Sequence, residues 1–173
     1  MANSSELGLE EVAEAAGISR ATMYRYYPNA DLLISEAALQ FRTKTTEELA
    51  TEVEAMPLKE SLLHVQQYFN KLIQENEATF RKYLTAALKE SIRSGDGSVH
   101  RSARRTAMAA QIVSTKGQDL SKEDQKNLVL ILAVLSGVEP FVANCDVNNI
   151  SPEASGELLQ WALEKILKGI EKG

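Results

Sequence analysis

The chain has 173 residues, 44% hydrophobic and 25% charged, a size that buries roughly 70% of the unfolded surface around a full core. Its net charge of −5 argues against non-specific attraction to polyanions, so any nucleic-acid contact must be a narrow basic ridge. The lone cysteine, Cys145, excludes an internal disulfide. The longest apolar run, Leu128 to Leu135, is far short of the roughly 20 residues that span a bilayer. The opening MANSSELGLEE has neither the basic start nor the apolar stretch of a signal peptide, and a cytoplasmic location without membrane contact is expected.

The composition reads as helix almost throughout: Ala, Leu, Glu, Lys and Gln dominate, and β-branched residues do not alternate. No internal repeat or low-complexity segment interrupts it. The first predicted helix is Leu9 to Ala16, with Leu9, Val12, Ala13 and Ala16 on one face and glutamates on the other. Gly17 stops it where a left-handed residue is wanted. Ser19 is a good N-cap for a second helix from Arg20 to Tyr27, which Pro28 ends. A longer helix is predicted from Asn29 or Ala30 to about Met56, before Pro57. Helices over Leu58 to Glu75, Ala78 to Ile92 and Val99 to Ser114 follow, with SGDGS as a loop. Ser121, with Asp124 three residues on, caps a helix reaching about Val142. Ser151 and Pro152 open the last helix, to about Lys172.

Two short helices joined through AGIS fit a helix-turn-helix, in which the second helix enters the major groove. Arg20, Ala21 and Thr22 start that helix, with Tyr24, Arg25 and Tyr26 one turn later and Met23 facing the core. An arginine fork matches guanine O6 and N7, while hydroxyls suit phosphate oxygens. The alternative is an ordinary surface helix with half-buried tyrosines. The Gly-Ile-Ser turn, the alanine-rich first helix and the proline after the second favour the DNA-binding reading.

The stretch VAEAAGISRATMYRYYPNADLL, Val12 to Leu33, closely resembles the DNA-binding region of TetR-family transcriptional regulators. The resemblance implies an all-α protein with a helix-turn-helix domain over residues 1–42 and a helical-bundle domain for ligand binding and dimerisation over 43–173. It implies a homodimeric repressor, binding a palindromic double-stranded operator and released by a small-molecule effector. By position, Arg20, Ala21 and Arg25 would approach bases, and Thr22, Tyr24 and Tyr26 would hold phosphate. Two departures stand out. Ala30 replaces the lysine that contacts phosphate in the family, which should weaken affinity by about one phosphate contact. Only eight residues precede Leu9 where the family has a further helix; a chain shortened at its natural N-terminus is expected, the alternative being a motif that stands without one of its supports.

In the body, the resemblance implies a ligand cavity among the middle helices. His64, Val65, Tyr68, Phe69, Phe80, Tyr83, Leu84, Met108 and Ile112 are its candidate lining, with the tyrosines and His64 as polar groups; plain core is the alternative for each. The run LVLILAVLSGVEPFVA is apolar nearly all round. The resemblance implies that with the last helix it forms a two-fold four-helix bundle, for which Leu128, Ile131, Leu132, Leu135, Leu159, Trp161, Leu163, Ile166, Leu167 and Ile170 are the candidate interface. Such an interface sets the recognition helices about 34–36 Å apart, one DNA turn. The alternative is that both helices complete a monomer core. The basic run HRSARR, His100 to Arg105, could recognise an anionic effector or be a solvated face.

No metal-ligand spacing surrounds His64 or His100, and no phosphate loop, nucleophile elbow or Cys–His signature appears. No enzymatic activity and no cofactor are expected. The rival reading is a helical ligand-binding or interaction protein that no longer engages DNA.

Overall fold

The last helix shows why this sequence folds as it does: apolar residues recur at Leu159, Leu163 and Leu167, and each is enclosed by its neighbours. The computed structural model describes residues 9–27, 30–40, 43–94 and 103–170. Among them every regular element is an α-helix, as expected. The helices are α1 (Leu9–Ala15), α2 (Arg20–Tyr26), α3 (Ala30–Gln40), α4 (Thr46–Glu52), α5 (Leu58–Glu75), α6 (Glu77–Ser94), α7 (Arg104–Lys116), α8 (Lys122–Leu135), α9 (Val138–Asp146) and α10 (Pro152–Ile170).

Two of the long helices expected from the sequence are each broken in two. The helix expected over residues 30–56 ends at Gln40 and restarts at Thr46. Its cause is a capping box: the Thr45 hydroxyl accepts from the Glu48 amide at 3.1 Å, and the Glu48 carboxylate accepts from the Thr45 amide at 2.7 Å. The helix expected over 121–142 breaks at Ser136 and Gly137, with 49° between its two parts. A continuous helix would put Pro140 in its interior, without an N–H and with its ring against the carbonyl of Ser136. Restarting at Val138 puts the proline in the first turn of α9, where no donor is needed. No single described helix is long and apolar enough to cross a membrane.

The chain forms two compact units. One comprises residues 1–42 and 78–101, the other 43–77 and 102–173. Residues 78–101, which hold most of α6, therefore cluster with the N-terminal segment.

Within the first unit, Leu9 and Ala13 of α1 enclose Met23 of α2, with Val12, Tyr27, Ala30 and Leu33 packed around them. A second cluster joins Leu39 to Tyr83, Ala86 and Ala87 of α6, with Phe80 against it. The inner face of α6 is therefore Tyr83, Ala86 and Ala87, whereas Leu88 is exposed.

In the second unit α7 packs on α4, α5 and α8, and α10 on α5, α8 and α9. Leu62, Val65, Met108, Ile112, Leu128, Leu132, Phe141 and Leu163 are its fully enclosed side chains of greatest interest. The α5–α10 contact is partly polar. Gln66 Nε2 donates to the Leu159 carbonyl at 2.8 Å, and Gln74 Nε2 to the Pro152 carbonyl at 2.9 Å.

Candidate nucleic-acid interface

The turn between α1 and α2 fixes how α2 is presented. Gly17 has φ +66°, a left-handed conformation that an L side chain resists. Its amide donates to the Glu14 carbonyl at 3.1 Å, and the Ile18 amide reaches back to Ala13 at 3.0 Å. This pair of bonds is a Schellman closure, which satisfies the last carbonyls of α1. The chain then turns through Ser19, whose hydroxyl accepts from the Thr22 amide at 3.1 Å and starts α2. A left-handed glycine followed two residues later by an N-cap is what turns the second helix out of line with the first.

Met23 faces inward and is only 4% exposed, which anchors α2 through one side chain. The opposite surface carries Arg20, Ala21, Tyr24 and Arg25, all exposed. Thr22 is half-buried, and its hydroxyl lies 2.9 Å from that of Ser19. Of Tyr26 the backbone is described, at the end of α2, and the side chain is not. Tyr27 closes the helix, its amide donating to Met23 at 2.8 Å. Burial, then the Glu36 carboxylate and Tyr83, push the Tyr27 hydroxyl above its ordinary pKa, so it stays a neutral donor.

One contact on this face joins charges ten residues apart in the sequence. Arg20 Nη2 lies 3.0 Å from Glu10 Oε2, an ion pair from the start of α2 to the first turn of α1. A groove of about 500 Å³ opens beside it, rimmed by Glu10, Glu11, Glu14, Ile18 and Ser19.

The candidate pocket residues divide between the two units. Phe80, Tyr83 and Leu84 belong to the first, where Tyr83 and Phe80 pack on Leu39. In the second, Val65, Phe69, Met108 and Ile112 are buried. Met108 and Ile112 also line a groove of about 440 Å³ between α4 and α7, together with Ala50, Val53, Glu54, Gln111 and Lys116. The Lys116 ammonium donates to the carbonyls of Glu54 and Met56 at 2.9 and 2.6 Å.

His64 and Tyr68, expected as polar pocket groups, are engaged elsewhere. The Tyr68 hydroxyl accepts from the Lys44 amide at 2.6 Å. His64 Nε2 lies 3.0 Å from one Glu52 oxygen, and Lys44 Nζ lies 2.5 Å from the other. These hydrogen bonds, first from Lys44 and then from His64, hold the Glu52 carboxyl below its ordinary value. Lys44 precedes α4 and Glu52 ends it, so the four residues hold both ends of α4 to α5.

Five of the ten residues expected at the dimer interface, Leu128, Leu132, Leu159, Leu163 and Leu167, are already enclosed within one protomer. They have no surface left to offer a second chain, because the monomer core uses them. Ile131, Leu135, Ile166 and Ile170 are half-buried. Trp161 is 56% exposed, under the Lys165 ammonium at 5.7 Å. The apolar residues that α8 and α10 leave outside are instead Leu130, Val134 and Leu158, beside Trp161. Of the basic run, residues 100–102 lie outside the described part, as does the SGDGS loop from residue 95 onward. Arg105 Nη1 donates to the Ala133 carbonyl at 3.1 Å, an internal use of that guanidinium.

A short helix closed by a left-handed glycine, then a capped second helix anchored by one buried residue and outwardly basic and aromatic, defines a helix-turn-helix DNA-binding domain. The family model for bacterial regulatory proteins of the tetR family matches residues 5–37. The matched segment contains both helices of the helix-turn-helix and supports a TetR-family regulator, as the residues from Val12 to Leu33 suggested. Searches of the curated proteins and of the solved structures found no match.

Proposed function

We propose that the protein is a repressor that binds a palindromic operator as a homodimer and lets go when a small molecule occupies its helical body. The observation that carries this reading is the split character of α2. Met23 is committed to the core while Arg20, Ala21, Tyr24 and Arg25 remain outside. In the reading, the two arginines address guanine edges, Ala21 meets a base methyl, and Thr22, Tyr24 and Tyr26 hold phosphates. Acting on DNA, the protein works in the cytoplasm, and its action needs neither a cofactor nor a catalysed reaction.

Dimerisation is supported by apolar side chains that one protomer leaves in water on α8 and α10. Leu130 and Val134 are one turn apart on α8, as are Leu158 and Trp161 on α10. A two-fold pairing through them presents two copies of α2 and calls for an inverted repeat. For the effector, the groove between α4 and α7 offers Met108 and Ile112 as apolar wall and Gln111 and Glu54 as polar groups.

The test is binding to a duplex recovered by selection from a random pool. Wild type should bind the selected duplex, and Arg25→Ala should lose about 1–3 kcal/mol and relax the preference at one base pair of each half-site. No recovered sequence, or equal binding by Arg25→Ala, would instead favour a helical ligand-binding protein that does not engage DNA.

A further inference from the structure

The ion pair on the DNA-binding face bears on how the protein avoids the wrong DNA. Glu10 occupies the first turn of α1 and Arg20 the first residue of α2, with 3.0 Å between Oε2 and Nη2. Their side chains are 50% and 70% exposed, so the contact is made in reach of water and of any docked duplex. The adjoining groove is lined by three acidic residues, Glu10, Glu11 and Glu14, and one basic residue, Arg20. An Nη2 donor pointed at a carboxylate is not available to a phosphate oxygen or a guanine in the same place.

Sequence-independent binding comes from neutralising phosphates, and each lost cation–phosphate contact lowers both affinity and its salt dependence. A carboxylate bound to Arg20 removes about one such contact. Operator DNA can offset that loss by offering the guanidinium two parallel acceptors on a guanine, whereas an arbitrary sequence offers only phosphate. The carboxylate therefore weakens non-operator binding more than operator binding. We infer that Glu10 is a specificity-determining residue, whose carboxylate competes with DNA phosphate for Arg20 and so raises the ratio of operator to non-operator affinity. The inference rests on the reading of α2 as the recognition helix.

The test measures fluorescence anisotropy on a mixed-sequence duplex of about 30 base pairs and on a selected operator duplex, each over a series of salt concentrations. The proteins are wild type, Glu10→Gln, Arg20→Ala, the double variant, and Glu11→Gln, which removes the same charge from the same turn. Because exposed pairs are weak, Glu10→Gln should tighten mixed-sequence binding only about three- to fivefold at low salt. It should steepen the salt slope by about one and tighten operator binding less. Glu11→Gln should give a smaller gain, and in the Arg20→Ala background the gain from Glu10→Gln should mostly vanish.

Unchanged or weaker mixed-sequence binding by Glu10→Gln overturns the inference; weaker binding would make Glu10 a support for Arg20. A gain that persists in full without Arg20, or that Glu11→Gln matches, also overturns it and leaves only general charge. If wild type binds no duplex even at low salt, the DNA-binding reading itself fails, a result distinct from all of these.

Discussion

Gly17 offers the sharpest test of how the sequence aims α2. Its φ of +66° lies in the left-handed region, and a Cβ built there meets nothing within 4 Å. Replacement by alanine therefore carries no steric collision, and the whole penalty is the backbone preference of an L residue, about 1–1.5 kcal/mol. Two amide hydrogen bonds report on the closure directly: Gly17 to Glu14, and Ile18 to Ala13. In Gly17→Ala the amide of Ile18 should exchange with solvent roughly five- to twelvefold faster, the factor that this free energy converts to. Amides of α5, α7 and α10, in the other unit, should be unchanged. Gly17→Asn should cost less than alanine, because asparagine tolerates the left-handed region, and Gly17→Val should cost more. An alanine variant with unchanged exchange, or one that costs more than about 3 kcal/mol, would refute the reasoning: the first denies the left-handed turn and the second denies the open space.

Other expectations follow from the same geometry. Thr45→Ala removes the capping box that starts α4 and should cost about 1 kcal/mol in chemical denaturation. Leu163→Ala empties a fully enclosed site on α10 and should cost about 2–5 kcal/mol, whereas Trp161→Glu, at an exposed position, should leave the protomer's melting nearly unchanged and abolish the proposed dimer in sedimentation. The lowered Glu52 carboxyl makes the Lys44–Glu52–His64–Tyr68 clasp pH-dependent. A carboxyl depressed on folding contributes above its unfolded value of about 4.3 and stops contributing as pH falls through the folded value. Protection of the Lys44 amide, taken relative to its intrinsic exchange rate, should therefore fall as the pH drops through the folded carboxyl's lowered value, and Glu52→Gln should remove that dependence.

The DNA-binding region was the most legible part of the sequence because its signals are local. A left-handed glycine, an N-cap and a single inward methionine need only neighbours a few residues away. The missed helix breaks were also written locally. The Thr45-x-x-Glu48 box and Pro140 one turn after Ser136–Gly137 both mark a restart, but continuous apolar spacing masked them. The Glu10–Arg20 pair had a weaker signal, since charges ten residues apart meet only once the turn sets the two helices side by side. What periodicity could not supply was direction across the bundle. Leu128, Leu132, Leu159 and Leu163 lie on apolar stripes that fit a monomer core and a dimer seam equally well, and the core takes them. Leu130, Val134 and Leu158, left outside, are no more apolar than their buried neighbours, so composition alone does not single them out. His64 and Tyr68 resemble pocket groups by type, and only the positions of Lys44 and Glu52 show that they are engaged.

Methylation protection of guanine N7 on a selected operator duplex examines the recognition surface most directly, since N7 faces the major groove. Wild type should shield guanines in two patches about 10–10.5 base pairs apart, related by an inverted repeat. Arg20→Ala and Arg25→Ala should each expose a guanine in both patches. Protection absent from the major groove, confined to one patch, or unaltered by either arginine substitution would contradict the assignment of α2 to DNA recognition.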